Sequence, residues 1–80
     1  MTTRLTTEQM NKVEDVRVAL LVAHDAACGN LIGCTADRAR VAVADEHMAA
    51  ANAAYQKGEP WMNIETDLTW AKHYATTAVR

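Results

Sequence analysis

Two glycine-bearing interruptions, Gly29-Asn30-Leu31-Ile32-Gly33 and Lys57-Gly58-Glu59-Pro60, cut this 80-residue chain into three stretches whose apolar residues recur at helical spacing. That punctuation leaves few folds open. No run of four or more residues alternates apolar and polar in the manner of a half-buried strand, so each stretch reads as a helix. Short connections make successive helices antiparallel neighbours. The expected fold is all-α, one domain over residues 1–80, with helices at about 7–28, 36–56 and 60–78. These pack as a three-helix bundle, or as a helical hairpin that completes itself by dimerising.

The first helix carries its own start signal. Thr6 reads as the N-cap with Gln9 three residues later, a capping box, and Leu5 and Met10 stand where a hydrophobic staple places them. Gly29 is suited to terminate it in a left-handed conformation. At 100° per residue, Met10, Val13, Val16, Leu20, Ala23 and Ala27 share one broad face, expected inward. The second helix reads as Ala36 to Gln56 behind a Thr35 cap. It has two apolar stripes: one of Ala36, Ala39, Val43, Ala50 and Ala54, the other of Val41, Ala44, Met48, Ala51 and Tyr55. Polar character narrows to Arg38, Asp45, Asn52 and Gln56. A helix apolar around most of its circumference is usually surrounded, so this one is expected at the centre, touching both others. The third helix opens near Pro60, a residue suited to a first helical position, with Asn63 as a competing cap. Trp61, Ile64, Leu68, Ala71, Ala75 and Ala78 form its inward stripe.

Composition limits how much such a bundle can bury. Half the residues are hydrophobic, yet Phe is absent and the aromatics are two Trp and two Tyr. Much of the apolar count is alanine, whereas each buried Leu, Ile, Val or Met contributes roughly 1.5–3 kcal/mol. Ordering each backbone residue costs about 1–2 kcal/mol. A homo-oligomer or a stable partner complex is therefore expected to supplement a marginal core.

Charge and punctuation exclude several classes. The formal net charge is −2 and the eight basic residues are scattered, so a nucleic-acid face is not expected. The longest nonpolar run, Val18 to Ala23, is far too short to span a bilayer. The first residues lack the apolar core and cleavage site of a secretory signal. One pair of cysteines is not a secreted disulfide framework, and a reducing cytoplasm is the expected location.

Chemistry-bearing constellations are sparse. His24 and Cys28 share a helix face, and Cys34 follows beyond a loop; His47 or His73 would complete four nitrogen and sulfur ligands for zinc. The H-x3-C-x5-C spacing matches no standard zinc pattern, and the plainer expectation is two buried free thiols and a histidine satisfied near the core. Neither metal nor cofactor is expected. There is no serine, and Cys28 closes a helix where thiol activation favours helix N-termini. Glu14-Asp15, Asp45-Glu46 and Glu65/Asp67 point apart along their helices. No enzyme is expected.

What remains is surface. Trp70 lies about 135° from the middle of the inward stripe of the third helix, and Tyr74 follows on the same flank. His73, Asp67 and Thr77 rim that pair. On the first helix Val18 and Val22 lie opposite the inward face. Trp and Tyr are enriched among binding hot spots. The sequence therefore points to a protein-interaction module, with Trp70, Tyr74, His73, Asp67, Val18 and Val22 as its partner-binding residues. Small inhibitors and adaptors that occupy a surface of a larger complex belong to this class, phage and mobile-element inhibitors such as anti-CRISPR proteins among them. The alternative is a small dimeric DNA-associated regulator presenting its third helix to a groove.

Overall fold

A computed structural model describes residues 4–80. It contains three helices: α1 (Thr7–Ala27), α2 (Arg38–Gln56) and α3 (Trp61–Ala78). They form a small all-α bundle, with no named strand among the described residues.

The start of α1 follows its sequence signal. The Thr6 backbone N–H donates to Gln9 Oε1 at 2.9 Å, and the Gln9 N–H donates to Thr6 Oγ1 at 3.2 Å. Its end is a reciprocal closure: the Gly29 N–H donates to Ala26 O and the Asn30 N–H to Asp25 O, with Gly29 at φ 77°. This double bond satisfies carbonyls that helix geometry leaves unpaired, and it needs a left-handed residue after the cap. The end of α2 repeats it, with the Gly58 N–H on Tyr55 O and the Glu59 N–H on Ala54 O. α1 thus ends at Ala27, with Cys28 as its cap.

α2 starts two residues later than its expected Ala36, and Asp37 rather than Thr35 is the cap. The Asp37 Oδ1 accepts from the Ala39 and Arg40 N–H groups at 3.0 and 3.3 Å. The backbone just before the helix is committed elsewhere. Thr35 and Arg80 exchange two backbone hydrogen bonds, of 3.0 and 2.8 Å, and the Asp37 N–H donates to Ala78 O at 2.9 Å. An isolated antiparallel bridge between Ala36 and Val79 results, strapping the end of α3 to the entrance of α2. Pro60, expected as the first helical residue, is instead the cap of α3 in extended conformation, so the helix begins one residue later, at Trp61. Asn63 does not cap; its side-chain amide donates to Glu59 Oε1.

The packing order corrects the expectation for the centre of the bundle. α3 touches both other helices, its contact with α2 being the most extensive, whereas α1 and α2 meet least. The reason lies in side-chain size. α3 brings Ile64 and Leu68 into the core, where α2 brings only Val41 among mostly alanines. The stripe of Ala39 and Ala50 on α2 faces solvent, with Val43 half-buried. Val16 and Leu20 of α1 complete the core, and alanines at 23, 44, 71 and 75 allow close approach. Met10, expected inward, is 58% exposed. It lies on the amino-terminal turns of α1, beside a groove that opens between α1 and α2.

The Cα extents are 43 × 22 × 15 Å. The shortest holds two helix layers, since the Cα atoms of one helix span about 5 Å and packed helix axes stand about 8–10 Å apart. So thin a body has more outward helix face than it has core to cover, and several large apolar side chains remain on the surface.

Candidate functional site

The seam between α2 and α3 collects four of the chain's seven aromatic and imidazole rings, those of His47, Trp70, His73 and Tyr74. On α3, Asp67, Trp70, Tyr74 and Thr77 recur every three or four residues and so share a face. On α2, Arg40 and His47, seven apart, point to the same seam. His47 Nδ1 lies 3.1 Å from Asp67 Oδ1. A carboxylate only accepts, so this ring nitrogen carries the donated hydrogen. The bond fixes the imidazole nearly parallel to the Tyr74 ring, at 6.0 Å between centroids and 9° between planes. The Trp70 ring lies 6.4 Å and 26° from His47 and 6.1 Å and 34° from Tyr74, so the three centroids form a nearly equilateral triangle. His73 meets two α3 aromatics edge-on, at 6.0 Å from Trp70 and 5.5 Å from Tyr74. Arg40 places its guanidinium 5.8 Å from the Tyr74 centroid and donates from Nη1 to Thr77 Oγ1 at 3.2 Å.

The cluster grades from core to solvent. Tyr74 is half-buried and packs on the hydrophobic core, His47 and Asp67 are half-buried, and His73 is exposed. Trp70 is 47% exposed, although three neighbouring rings, those of His47, His73 and Tyr74, surround it. A large ring is thereby presented to solvent with its orientation already fixed.

The six residues singled out by sequence fall into two groups. Trp70, Tyr74, His73 and Asp67 come together in this cluster. Val18 and Val22 do not join it; they lie on the outer side of α1, 51% and 41% exposed. Leu21, overlooked in the sequence, adds 63% exposure to that second face, flanked by the Glu14–Arg17 ion pair. Arg40 and His47 were also missed as members of the cluster. Their signal was present: Arg40, Val43 and His47 recur at i, i+3 and i+7, a face that the two alanine stripes obscured.

The sulfur and nitrogen set is dispersed. His24 Nε2 pairs with Asp45 Oδ1 at 2.8 Å, tying α1 to α2. Cys28 is exposed and Cys34 half-buried, both free thiols, and His24 is exposed rather than satisfied in the core. Cys28 caps α1 where the chain leaves the bundle, so little covers it. Among the described residues no group of three or more His, Cys, Asp or Glu side chains is placed to hold a metal ion. Among them, too, no helix is long and apolar enough to cross a membrane.

No protein-family model matches this chain, and no curated protein and no solved structure matches it either.

Proposed function

We propose that this protein is a non-enzymatic interaction module that works in the cytoplasm as a small inhibitor or adaptor, docking through the α2–α3 ring cluster onto a larger protein complex. One observation carries the reading: Trp70 is about half exposed yet stacked on His47 and flanked by Tyr74. A ring fixed before binding loses little rotamer freedom on binding, which is how rigid aromatic anchors raise affinity. Trp, Tyr and Arg, the residue types most enriched in hot spots, are all in the cluster. An aromatic side chain buries about 150–250 Å², so covering the exposed part of Trp70 removes about 100 Å² from water. At roughly 25 cal/mol per Å² that contributes about 2.5 kcal/mol, or about sixty-fold in affinity.

The test is affinity purification of the tagged chain from its native cell, comparing wild type with Trp70→Ala and Val18→Asp. The expected result is a partner retained by the Val18 variant and lost from the Trp70 variant, while both keep helical circular dichroism. Identical partners on all three proteins count against the ring cluster as the docking face.

The exposed Val18, Leu21 and Val22 on α1 favour a second reading, in which this face joins two copies of the chain. It is compatible with the first, since the two faces share no residue. Light scattering during size exclusion tests it: a dimer converted to monomer by Leu21→Glu is expected, and a monomeric wild type at high concentration rules it out.

A further inference from the structure

The groove between the amino-terminal turns of α1 and the last turns of α2 belongs to neither face. It has a volume of about 470 Å³. Leu5 and Val13 line it from the α1 side, Met48 and Tyr55 from α2, and Ile64 and Leu68 of α3 lie beneath. It exists because α1 and α2 make the least contact of any helix pair. Its size is that of ordinary small-molecule sites, which run about 300–1,000 Å³ with mostly apolar walls and a few polar groups.

Among the described residues the lining has three polar side chains, Arg4, Asn52 and the Tyr55 hydroxyl. Among the described residues Arg4 is the single charged one on the lining and no carboxylate joins it, although the chain carries ten Asp and Glu against eight Lys and Arg. Arg4 is in none of the ion pairs among the described residues. Met10 and Met48 bring unbranched, adaptable side chains to the rim, which suit a flexible ligand better than a rigid one. We propose that this groove binds a small amphiphile with an anionic head, a medium-chain carboxylate in its simplest form. The alkyl tail lies against Val13, Met48 and Leu68, and the head meets the Arg4 guanidinium, whose fork of N–H donors matches a carboxylate. This site is independent of the ring cluster, and it gives the protein a ligand-binding activity separate from protein docking.

The experiment is calorimetric titration of the full chain with octanoate, decanoate and dodecanoate below their micelle concentrations, with dodecanol as the neutral control. The expected result is one site per chain, with affinity rising about four-fold for each methylene that becomes buried. Dodecanol is expected to bind more weakly than dodecanoate. Arg4→Gln, a change at an exposed position, is expected to weaken dodecanoate about ten-fold and leave dodecanol unchanged. Met48→Glu, which sets a carboxylate in the groove, is expected to abolish dodecanoate binding, and Trp70→Ala to leave it intact. No heat of binding for dodecanoate overturns the proposal. So does equal binding of acid and alcohol that is indifferent to Arg4→Gln, since the groove then has no preference for an anionic head.

Discussion

His47 and Asp67, twenty residues apart, meet across the α2–α3 seam with Nδ1 3.1 Å from Oδ1, and this bond sets the plane of the ring against which Tyr74 and Trp70 lie. Its side chains are 32% and 29% exposed, so the pair is neither dry nor fully screened. Exposed pairs of this kind contribute about 0.2–1 kcal/mol, and residues in one network fail to add when both are changed. His47→Ala and Asp67→Ala are each expected to lower stability by about 0.5–1 kcal/mol, with the double variant losing about 0.3–0.5 kcal/mol less than their sum. Urea denaturation of the four proteins measures the coupling. Strict additivity means that the rings hold His47 without help from Asp67.

Leu68 and Trp70 sit two residues apart on α3 and answer to opposite demands. Leu68 is 1% exposed in the core, whereas Trp70 is 47% exposed. Leu68→Ala leaves a cavity and is expected to cost about 2–5 kcal/mol, enough to unfold much of a domain whose whole stability is of order 5 kcal/mol. Trp70→Ala removes partial stacking contacts with rings at the surface and is expected to cost about 1 kcal/mol or less. Thermal melts followed by circular dichroism separate the two. A Trp70→Ala protein as unstable as Leu68→Ala shows the indole to be structural and removes the case for an anchor.

The helices, the capping box at Thr6 and the outward register of Trp70 were legible because each rests on local signals or on 100° periodicity. The centre of the bundle was not. Periodicity records that α2 is apolar all round, but alanine is small enough to sit inside or outside at little cost, so Ala39 and Ala50 carry no direction. Which helix lies between the others was decided by the volume of Ile64 and Leu68, a property of packing that spacing does not encode. The ring cluster was half legible for the same reason. Its α3 members share one helix and can be aligned by arithmetic, whereas Arg40 and His47 join from α2, in a rotational setting that depends on the helix pair. The displaced cap has a longer-range cause still, the backbone strap between Thr35 and Arg80.

That strap makes the start of α2 a sharp comparison. Thr35 fits the sequence rule for a cap, but the Asp37 carboxylate accepts the bonds, from Ala39 and Arg40. Removing a side-chain cap costs about 0.5–2 kcal/mol. Asp37→Ala is expected to fall in that range, while Thr35→Ala, whose strap bonds are made by backbone atoms, is expected to stay within about 0.5 kcal/mol. Chemical denaturation of both variants decides between the two caps, and a larger loss at Thr35 restores the earlier start.

Gly29 isolates a backbone cost from a steric one. It sits at φ 77° in the closure of α1, and a Cβ built there meets nothing within 4 Å. Replacing it by alanine therefore adds no clash; what remains is the left-handed conformation itself, which costs an L-residue about 1–2 kcal/mol. For a domain of 60–100 residues, each kcal/mol shifts Tm by about 4–8 °C. Gly29→Ala is expected to lower Tm by about 4–16 °C. Gly29→Asn, whose side chain tolerates the same region, is expected to lower it by less. Melting curves for the three proteins test the order Gly, Asn, Ala. If Ala melts with wild type, the closing turn after Cys28 does not hold the left-handed geometry in solution, and α1 ends by fraying instead.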